Sequence, residues 1–517
     1  MAVLRTPVLV VGAGVAGSVL ALELAHHGVP SVVVERAVKP PRHRELTLVS
    51  GRGMELLRRL GLAADIRRHG VDPDGRPEVV WAPGLHQPPV LVTRSPSVNE
   101  VLRAYEKNGD GSAPIEPYLL LPSSRLTSRL RAAAREHDLV DLREGWTLTD
   151  LRAEQDGAVA VLIDVGSKER HVAEATYLAG CDGAQSTVRR CLGVGMEHLT
   201  SPVHHYTVYF RTDELPDRPE HPRTIITGGL TLTWRHEEKL WIGQLPMPAD
   251  EAAMADPTAL LRARLGLGEE PAEIVGVSQS EEALRVATVY QRGPVYLAGE
   301  AAHRLAPPGG TVDTCVGDAV DLGWKMAAAV SGWGGPGLLA SYADERRRRA
   351  LIDRELAARA LETRRRFSRL AAAGASRDVL AGVLGEEPPQ LDLTGTPAPT
   401  GAAGALPGSR PPAVRMADGE QLFDRLGPQF TLVDLTERET GGPLVATAGK
   451  RGIPMKHLTV KDAPVRASWV SELVLVRPDQ HVAWCSGGAP ADWELVLDAV
   501  TGRGKAACPP RNPAQTT

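Results

Sequence analysis

The chain has 517 residues, 63 acidic against 59 basic side chains, a formal net charge of −4 and five cysteines. At about 150 residues per domain the length corresponds to about three compact units, which excludes a lone small binding module. The slight acidity argues against a broad nucleic-acid surface, and five scattered cysteines without a CxxC pair favour neither a disulfide framework nor a zinc site, so a reducing cytoplasm is the expected home.

The apolar start, Val8 to Leu24, contains spaced glycines and Glu23, so it reads as neither a signal peptide nor a membrane span. No other run reaches the ~18 apolar residues a membrane helix needs, and no membrane partner is expected. Val8 to Val11 is instead a strand leading into GAGVAG, a helix follows from Ser18 to His27, and SVVVE (Ser31 to Glu35) is a second strand ending in an acid. This is a βαβ unit with parallel strands. Gly12, Gly14 and Gly17 allow a tight turn, close approach of a pyrophosphate and packing of helix on strand. Val15 and Ala16 complete that loop at the positive end of the helix. Glu35, followed by Arg36, stands where a carboxylate accepts ribose hydroxyls and opposes a 2′-phosphate, which leaves FAD or NAD as the occupant.

Helices are predicted over Arg52 to Leu62 and Arg125 to His137, and strands over Ala158 to Val165 and Val172 to Leu178. HHYTVYFR, TIITGGLTLTW and KLWIGQL, between Val203 and Pro246, are β-branched or aromatic runs that predict an antiparallel sheet. A strand at Val295 to Ala298 precedes a long helix from about Val316, interrupted near Trp333 to Pro336, in which Leu322, Trp324 and Met326 are core positions. The Arg-rich run Glu345 to Arg369 has interleaved acids and reads as a solvated helix face. Gly385 to Pro412 is rich in Pro, Gly, Ala and Thr and reads as a surface linker. Strands resume at QFTLVDL and ELVLVRPDQHVAWC, and the polar tail from Thr501 is expected to fray.

Two later segments carry a family resemblance. YLAGCDGAQSTVRRCLG (Tyr177 to Gly193) and VYLAGEAAHRLAPPGG with DAVDLGWKM resemble the second and third flavin motifs of the FAD-dependent aromatic hydroxylase-like (class A) monooxygenases. With the glycine fingerprint the likeness runs to about residue 350. The PGSRPP, LFDRLG and LVRPDQHVAW strings resemble a thioredoxin-like domain that some members append.

The resemblance implies an α/β fold. A Rossmann-like FAD-binding domain would cover 1–195, with a substrate-domain segment near 75–115, and resume over 276–384. An inserted antiparallel β-sheet substrate domain would occupy 196–275, a linker 385–415 and a thioredoxin-like domain 416–517. It also implies FAD held by Asp182, Gly183, Gly299, Glu300, Pro307, Gly309, Gly310, Thr311, Val312 and Asp313, with Arg44 and Arg125 near the flavin. NAD(P)H would be a transient reductant docking without its own Rossmann domain. The implied activity is oxidation by dioxygen of a bulky, hydrophobic aromatic or polyketide-type small molecule.

The chain departs from the family pattern at Glu300, where aspartate is usual, at Ser123, at the RHRE string (Arg42 to Glu45) and at GGTVDT. That last loop is one residue short and puts Asp313 where asparagine is expected. A carboxylate there would oppose an anionic reduced flavin. The departures support a second reading, similarity to flavin-dependent decalin-forming [4+2] cyclases that use FAD structurally. Substrate contacts are expected from the middle sheet, at Tyr206, Tyr209, Thr227, Trp234, Trp241 and Gln244, while His303 is read as local structure. The C-terminal unit, lacking CxxC, is expected to have no redox role.

Overall fold

Five strands form a parallel sheet in the order Val295–Leu297, Arg170–Gly180, Val3–Val11, Ser31–Glu35 and Val140–Glu144, apolar and covered on both faces at its centre and polar at the Val140–Glu144 edge. Val8 lies opposite Tyr177 on one side and Ser31 on the other, so the central strand is the βαβ strand read from sequence. The structure, a computed structural model, describes residues 3–39, 45–108, 111–200, 203–215, 218–247, 256–266, 272–306, 311–386 and 405–504. Helix Val15–His26 is buried from Ala16 through Ala25, because the sheet covers one side and helix Thr311–Val330 the other. A Cβ on Gly323 would lie 2.5 Å from Glu23 Cγ, which measures how closely those two helices approach.

The second sheet has nine strands. Its centre runs Glu273–Ala287, Val203–Arg211, Leu240–Met247, Thr231–Arg235, Arg223–Ile226, and the segment Glu78–Trp81 joins it by parallel pairing. The strand Glu273–Ala287 and its partner His303–Ala306 extend this sheet beyond residue 275. Period-two alternation gives the sheet two different faces. Tyr206, Val208 and Phe210 pack with Leu261 and Leu265 of helix Pro257–Leu265, whereas Tyr209 and Ile242 occupy the opposite face.

The C-terminal unit has strand order Met455–Thr459, Phe430–Asp434, Leu473–Val476, Val482–Ser486, the first pair parallel and the others antiparallel. With helices Gly442–Lys450, Ala463–Trp469 and Trp493–Val500 it is a thioredoxin-like βαβαββα unit. Its first helix opens on Gly441-Gly442-Pro443, with no thiol at the helix N-terminus.

Two expectations are corrected at its junction. Of the expected linker 385–415, residues 385–386 end helix Arg377–Glu386 and residues 405–415 are docked: Ala405 and Val414 are buried, Trp469 Nε1 donates to Pro412 O at 2.9 Å, and Arg410 pairs with Glu55. The start of the tail is docked as well. Thr501 is buried and its carbonyl accepts from Gly335 N at 2.7 Å, while Gly502 O accepts from Gly337 N at 3.0 Å. These bonds fasten the break between helix Thr311–Val330 and the 37-residue helix Pro336–Ala372. Trp324 and Trp333 of that corner share a core with Phe430 and Leu475 of the C-terminal unit, so the junction is apolar inside.

A charged ring surrounds the apolar centre. Arg410 Nε donates to Glu55 Oε2 at 2.9 Å and Arg52 Nη1 reaches the same oxygen at 3.0 Å. Arg52 also donates to Gln480 Oε1 and Asp479 O. Arg477 bonds Asp321, Glu345 and Asp479 at 2.7, 3.0 and 2.6 Å, and Lys325, fully buried, meets Asp321 and Glu345. Among the described residues no helix is long and apolar enough to cross a membrane.

Candidate flavin and substrate site

The three glycines of the first loop have three separate jobs. Gly12 has φ +100°, and a Cβ on it would lie 2.4 Å from Cys181 O, so only glycine makes this turn beside the second motif. A Cβ on Gly17 would lie 1.8 Å from Gly12 O, which fixes it as the packing contact. Gly14 meets nothing within 4 Å, and it caps helix Val15–His26 without a side-chain hydrogen bond. The N–H groups of that helix end thus have no side-chain cap, and the space beside Gly14 is open, the arrangement a pyrophosphate requires.

Glu35 ends its strand 12% exposed at the side chain. Its Oε2 accepts from Ala13 N at 2.8 Å and its Oε1 from Ala37 N at 2.9 Å. Arg131, on helix Ser123–Glu136, bonds Ala13 O and Ala37 O at 2.7 and 3.0 Å and brings Nη2 to 3.2 Å from Glu35 Oε2. The carboxylate is thus aimed by backbone on two sides and a guanidinium on the third. Arg36 is exposed beside it.

In the second motif Asp182 turns inward. It accepts from Thr187 N and Val188 N at 2.6 and 3.1 Å and from Ser186 Oγ, capping helix Thr187–Cys191, while Gly183, φ +78°, opens onto empty space. Arg189 ties this turn to the third motif through Ala301 O at 2.8 Å. There Gly299, φ +62°, approaches the first loop so closely that a Cβ would lie 2.6 Å from Ala16 Cβ. Gly299 N donates to Asp318 Oδ2 at 3.0 Å, and that oxygen also meets His303 Nε2 at 2.9 Å, while Arg346 Nε reaches Asp318 Oδ1 at 2.8 Å. Burial opposes ionisation of Asp318, but His303 and Arg346 outweigh it and hold the carboxyl below its usual value. His303 is fully buried, placed as local structure. Glu300 remains 39% exposed, 3.6 Å from Arg304 Nη1.

Asp313 points to another helix end. Its Oδ1 and Oδ2 lie 3.1 and 3.2 Å from Ser50 N, the N-cap of helix Gly51–Arg59, and Gly53 is needed there because a Cβ would meet Asp313 Oδ1 at 2.1 Å. The negative charge is set against the positive end of a helix dipole. Thr311 and Val312 open helix Thr311–Val330, Val312 against the main core. Arg125 lies 3.8 Å from Glu238 Oε1, bridging the first domain and the sheet. Arg44, Pro307, Gly309 and Gly310 lie outside the described residues.

Of the six expected substrate contacts, two stand on the face that looks toward the nucleotide domain. Tyr209 Oη donates to Glu45 Oε1 at 2.6 Å, and Gln244 lies opposite Thr207 and Thr231. Tyr206, Trp234 and Trp241 stand on the other face, in the core with Leu261; the two indoles are 5.1 Å apart, and Trp234 Nε1 donates to Pro219 O. Parity decides this: Phe210 pairs with Trp241, one residue out of phase with the Tyr209–Ile242 pair. Thr227 closes a hairpin by donating to Leu230 O at 2.9 Å, and its own carbonyl accepts from Ser368 Oγ.

The Arg-rich helix also differs from expectation. Arg346 reaches Asp318, Arg347 reaches Glu197, and Arg364 and Arg365 reach the central sheet, so one face of the run is turned inward. Arg131, Ser50, Asp318 and Arg346 hold the site's motifs together and were not singled out from the sequence. Among the described residues no set of three His, Cys, Asp or Glu side chains is arranged for a metal. Cys181 and Cys315 are buried, and burial raises both thiol pKa values, so neither is a nucleophile.

An open helix N-terminus, a fixed ribose acceptor and two further motifs in contact with it fit FAD and define an FAD-binding flavoprotein. Residues 5–351 match the family described as FAD binding domain, and residues 404–504 match that described as aromatic-ring hydroxylase, C-terminal. The chain is 30% identical over 574 residues to the tetracenomycin B2 monooxygenase-dioxygenase of Streptomyces olivaceus, covering 97% of this chain and 98% of that protein. It is 29% identical over 501 residues to the dialkyldecalin synthase of Streptomyces rugosporus, covering 92% and 95%. The rebeccamycin biosynthetic enzyme RebC, solved with reduced flavin, matches with a TM-score of 0.83 at 27% identity over 98% of this chain and 100% of that one. The chain belongs to the family of FAD-dependent aromatic-ring hydroxylases, and FAD is its cofactor.

Proposed function

We propose that the chain is a monooxygenase acting on a bulky aromatic or polyketide-type secondary metabolite, with NAD(P)H as reductant and dioxygen as oxidant. One oxygen atom enters the substrate, and the other leaves as water with the reducing equivalents of NAD(P)H. The observation that carries this reading is the seating of Asp313 at the helix Gly51–Arg59 N-terminus, which leaves the flavin site free to carry negative charge on reduction.

Bound FAD supplies the activation of dioxygen. The chain's own residues bind and exclude: Glu35 and Arg131 fix the ribose end, Asp182 and Asp318 hold the two later motifs in place, and the sheet face with Tyr209 and Gln244 covers the substrate side. The one glycine fingerprint of the chain is taken by FAD, so NAD(P)H docks without a Rossmann domain of its own.

The similarity to a dialkyldecalin synthase supports a second reading, a cyclase that holds a flexible polyene in reactive geometry without flavin turnover. Anaerobic mixing of the FAD-loaded protein with NADPH and a panel of polycyclic polyketides separates the two. Substrate-accelerated bleaching of the flavin is the expected result. Product formation without oxygen and without any bleaching overturns the monooxygenase reading in favour of the cyclase.

A further inference from the structure

Helix Pro336–Ala372 starts at the corner fastened by Gly502, passes the third flavin motif at Tyr342 and Arg346, and ends on the inner face of the central sheet. Along it Asp353 Oδ2 accepts from Thr314 Oγ1 at 2.9 Å, and further on Arg364 Nη2 donates to Thr231 Oγ1 at 2.6 Å. Eleven residues, about 16 Å of helix, separate these anchors, and Ala357 and Ala360 share their face. A helix packed against protein over that span would bury the residues between. Ala360 is instead exposed, and Leu356 on the same edge is 56% exposed. Leu361 and Thr363 pack inward over the same span, so the helix is seated on protein by its other faces while the edge from Asp353 to Arg364 is left uncovered between its two anchors, bearing small and apolar side chains and a guanidinium at its far end.

That guanidinium is unlike its neighbours. Arg365 takes the carboxylate of Glu282, which His205 Nε2 also meets at 3.0 Å, and Arg349 takes Asp353. Arg364 is half-buried, and among the described residues no carboxylate lies within ion-pair distance of it. Burial, partly offset by Glu282, lowers its pKa, which is the signature of a cation short of a counter-charge. Of the five N–H donors of a guanidinium, Thr231 uses one. Gln244 stands directly opposite Thr231 on the neighbouring strand, so a second polar group converges on the same place.

We propose that Arg364 binds an acidic oxygen of the substrate, a carboxylate or an ionised phenol or enol, borne at the end of a ring system lying along the helix between Thr314 and Thr231. This rests on the reading of the protein as an enzyme of polycyclic metabolites and deepens it by assigning the substrate a negative end. A guanidinium suits that role because it can offer two parallel N–H groups to one planar anion.

The FAD-loaded protein is titrated with anthraquinone-2-carboxylate and with the neutral anthraquinone-2-carboxamide, binding being read from the flavin absorption spectrum and from the heat of mixing. The carboxylate is expected to bind about tenfold or more tightly. Arg364→Gln should abolish that preference while leaving the carboxamide affinity within about twofold, and Arg364→Lys should retain part of it. Stoichiometric FAD in each variant reports folding, and the comparison of the two probes on the native protein needs no variant. Equal affinities in the native protein, or a preference that survives Arg364→Gln, overturn the assignment and leave the polycyclic chamber standing. Failure of both probes to bind removes the chamber and the assignment together.

Discussion

Arg131 and Glu35 stand almost a hundred residues apart in the chain, and their side chains meet at 3.2 Å beside the glycine loop. Because the same guanidinium holds Ala13 O and Ala37 O, it fixes both the carboxylate and the backbone on either side of it. Arg131→Met should therefore weaken FAD binding by roughly 10- to 100-fold, the worth of a charge-assisted hydrogen bond, while the sheet remains folded. Fluorescence titration of apo-protein with FAD measures it; an unchanged dissociation constant would refute a positioning role.

Gly14 and Gly17 make a sharper contrast than their shared motif suggests. Gly14→Val introduces a side chain into open space, so the protein should fold with a native circular dichroism spectrum and fail to retain FAD. Gly17→Ala places a methyl 1.8 Å from Gly12 O and should destabilise the domain itself. Soluble yield, melting temperature and bound FAD of the two variants distinguish the outcomes.

Arg410 is one of two guanidinium groups on the fully buried carboxylate of Glu55. Burial resists the charge on Glu55, but Arg410 and Arg52 outweigh it and hold the pKa below the ordinary value. Arg410→Met strands part of that charge and should cost about 3 kcal/mol, recovered in large part by the double replacement Glu55→Leu with Arg410→Met. Urea denaturation of the single and double variants tests the coupling.

Acid sensitivity should come in part from His26. Burial, reinforced by Arg59, pushes its pKa down from 6.5 to about 4. The unfolded chain then takes up a proton near pH 6.5 that the folded protein refuses until near pH 4, so this contribution is complete above 6.5 and is lost as pH falls through that window. His26→Gln should flatten the stability profile there by on the order of 1–2 kcal/mol, allowing for solvent screening. Thermal melts across the window read the difference.

Local chemistry made the nucleotide half legible. Gly12, Gly14, Gly17 and Glu35 lie within one βαβ unit whose geometry is set by neighbours in sequence, and the structure places them as that unit demands. Arg131, Asp318 and Arg346 were not legible because each acts across fifteen or more residues of chain, and an arginine on a helix carries no mark of what it will reach. The inner face of the sheet failed for a different reason. Alternation says that Tyr206 and Tyr209 are on opposite sides, but which side meets the nucleotide domain depends on Glu45 being brought against Tyr209. The junction of the C-terminal unit escaped notice because low periodicity in Gly385 to Pro412 resembles a linker, although Arg410 and Pro412 are among its anchors.

The charged ring at that junction limits how such proteins can be recombined. Glu55, Asp321 and Glu345 belong to the flavin-binding half, and their counter-ions Arg410 and Arg477 to the appended half. A terminal unit transplanted from a relative would have to present cations at those same points, or the three carboxylates would be left with only Arg52 and Lys325 to balance them. The two halves thus behave as lock and matching key rather than as interchangeable cassettes, and chimeras of them should succeed only when these residues travel together.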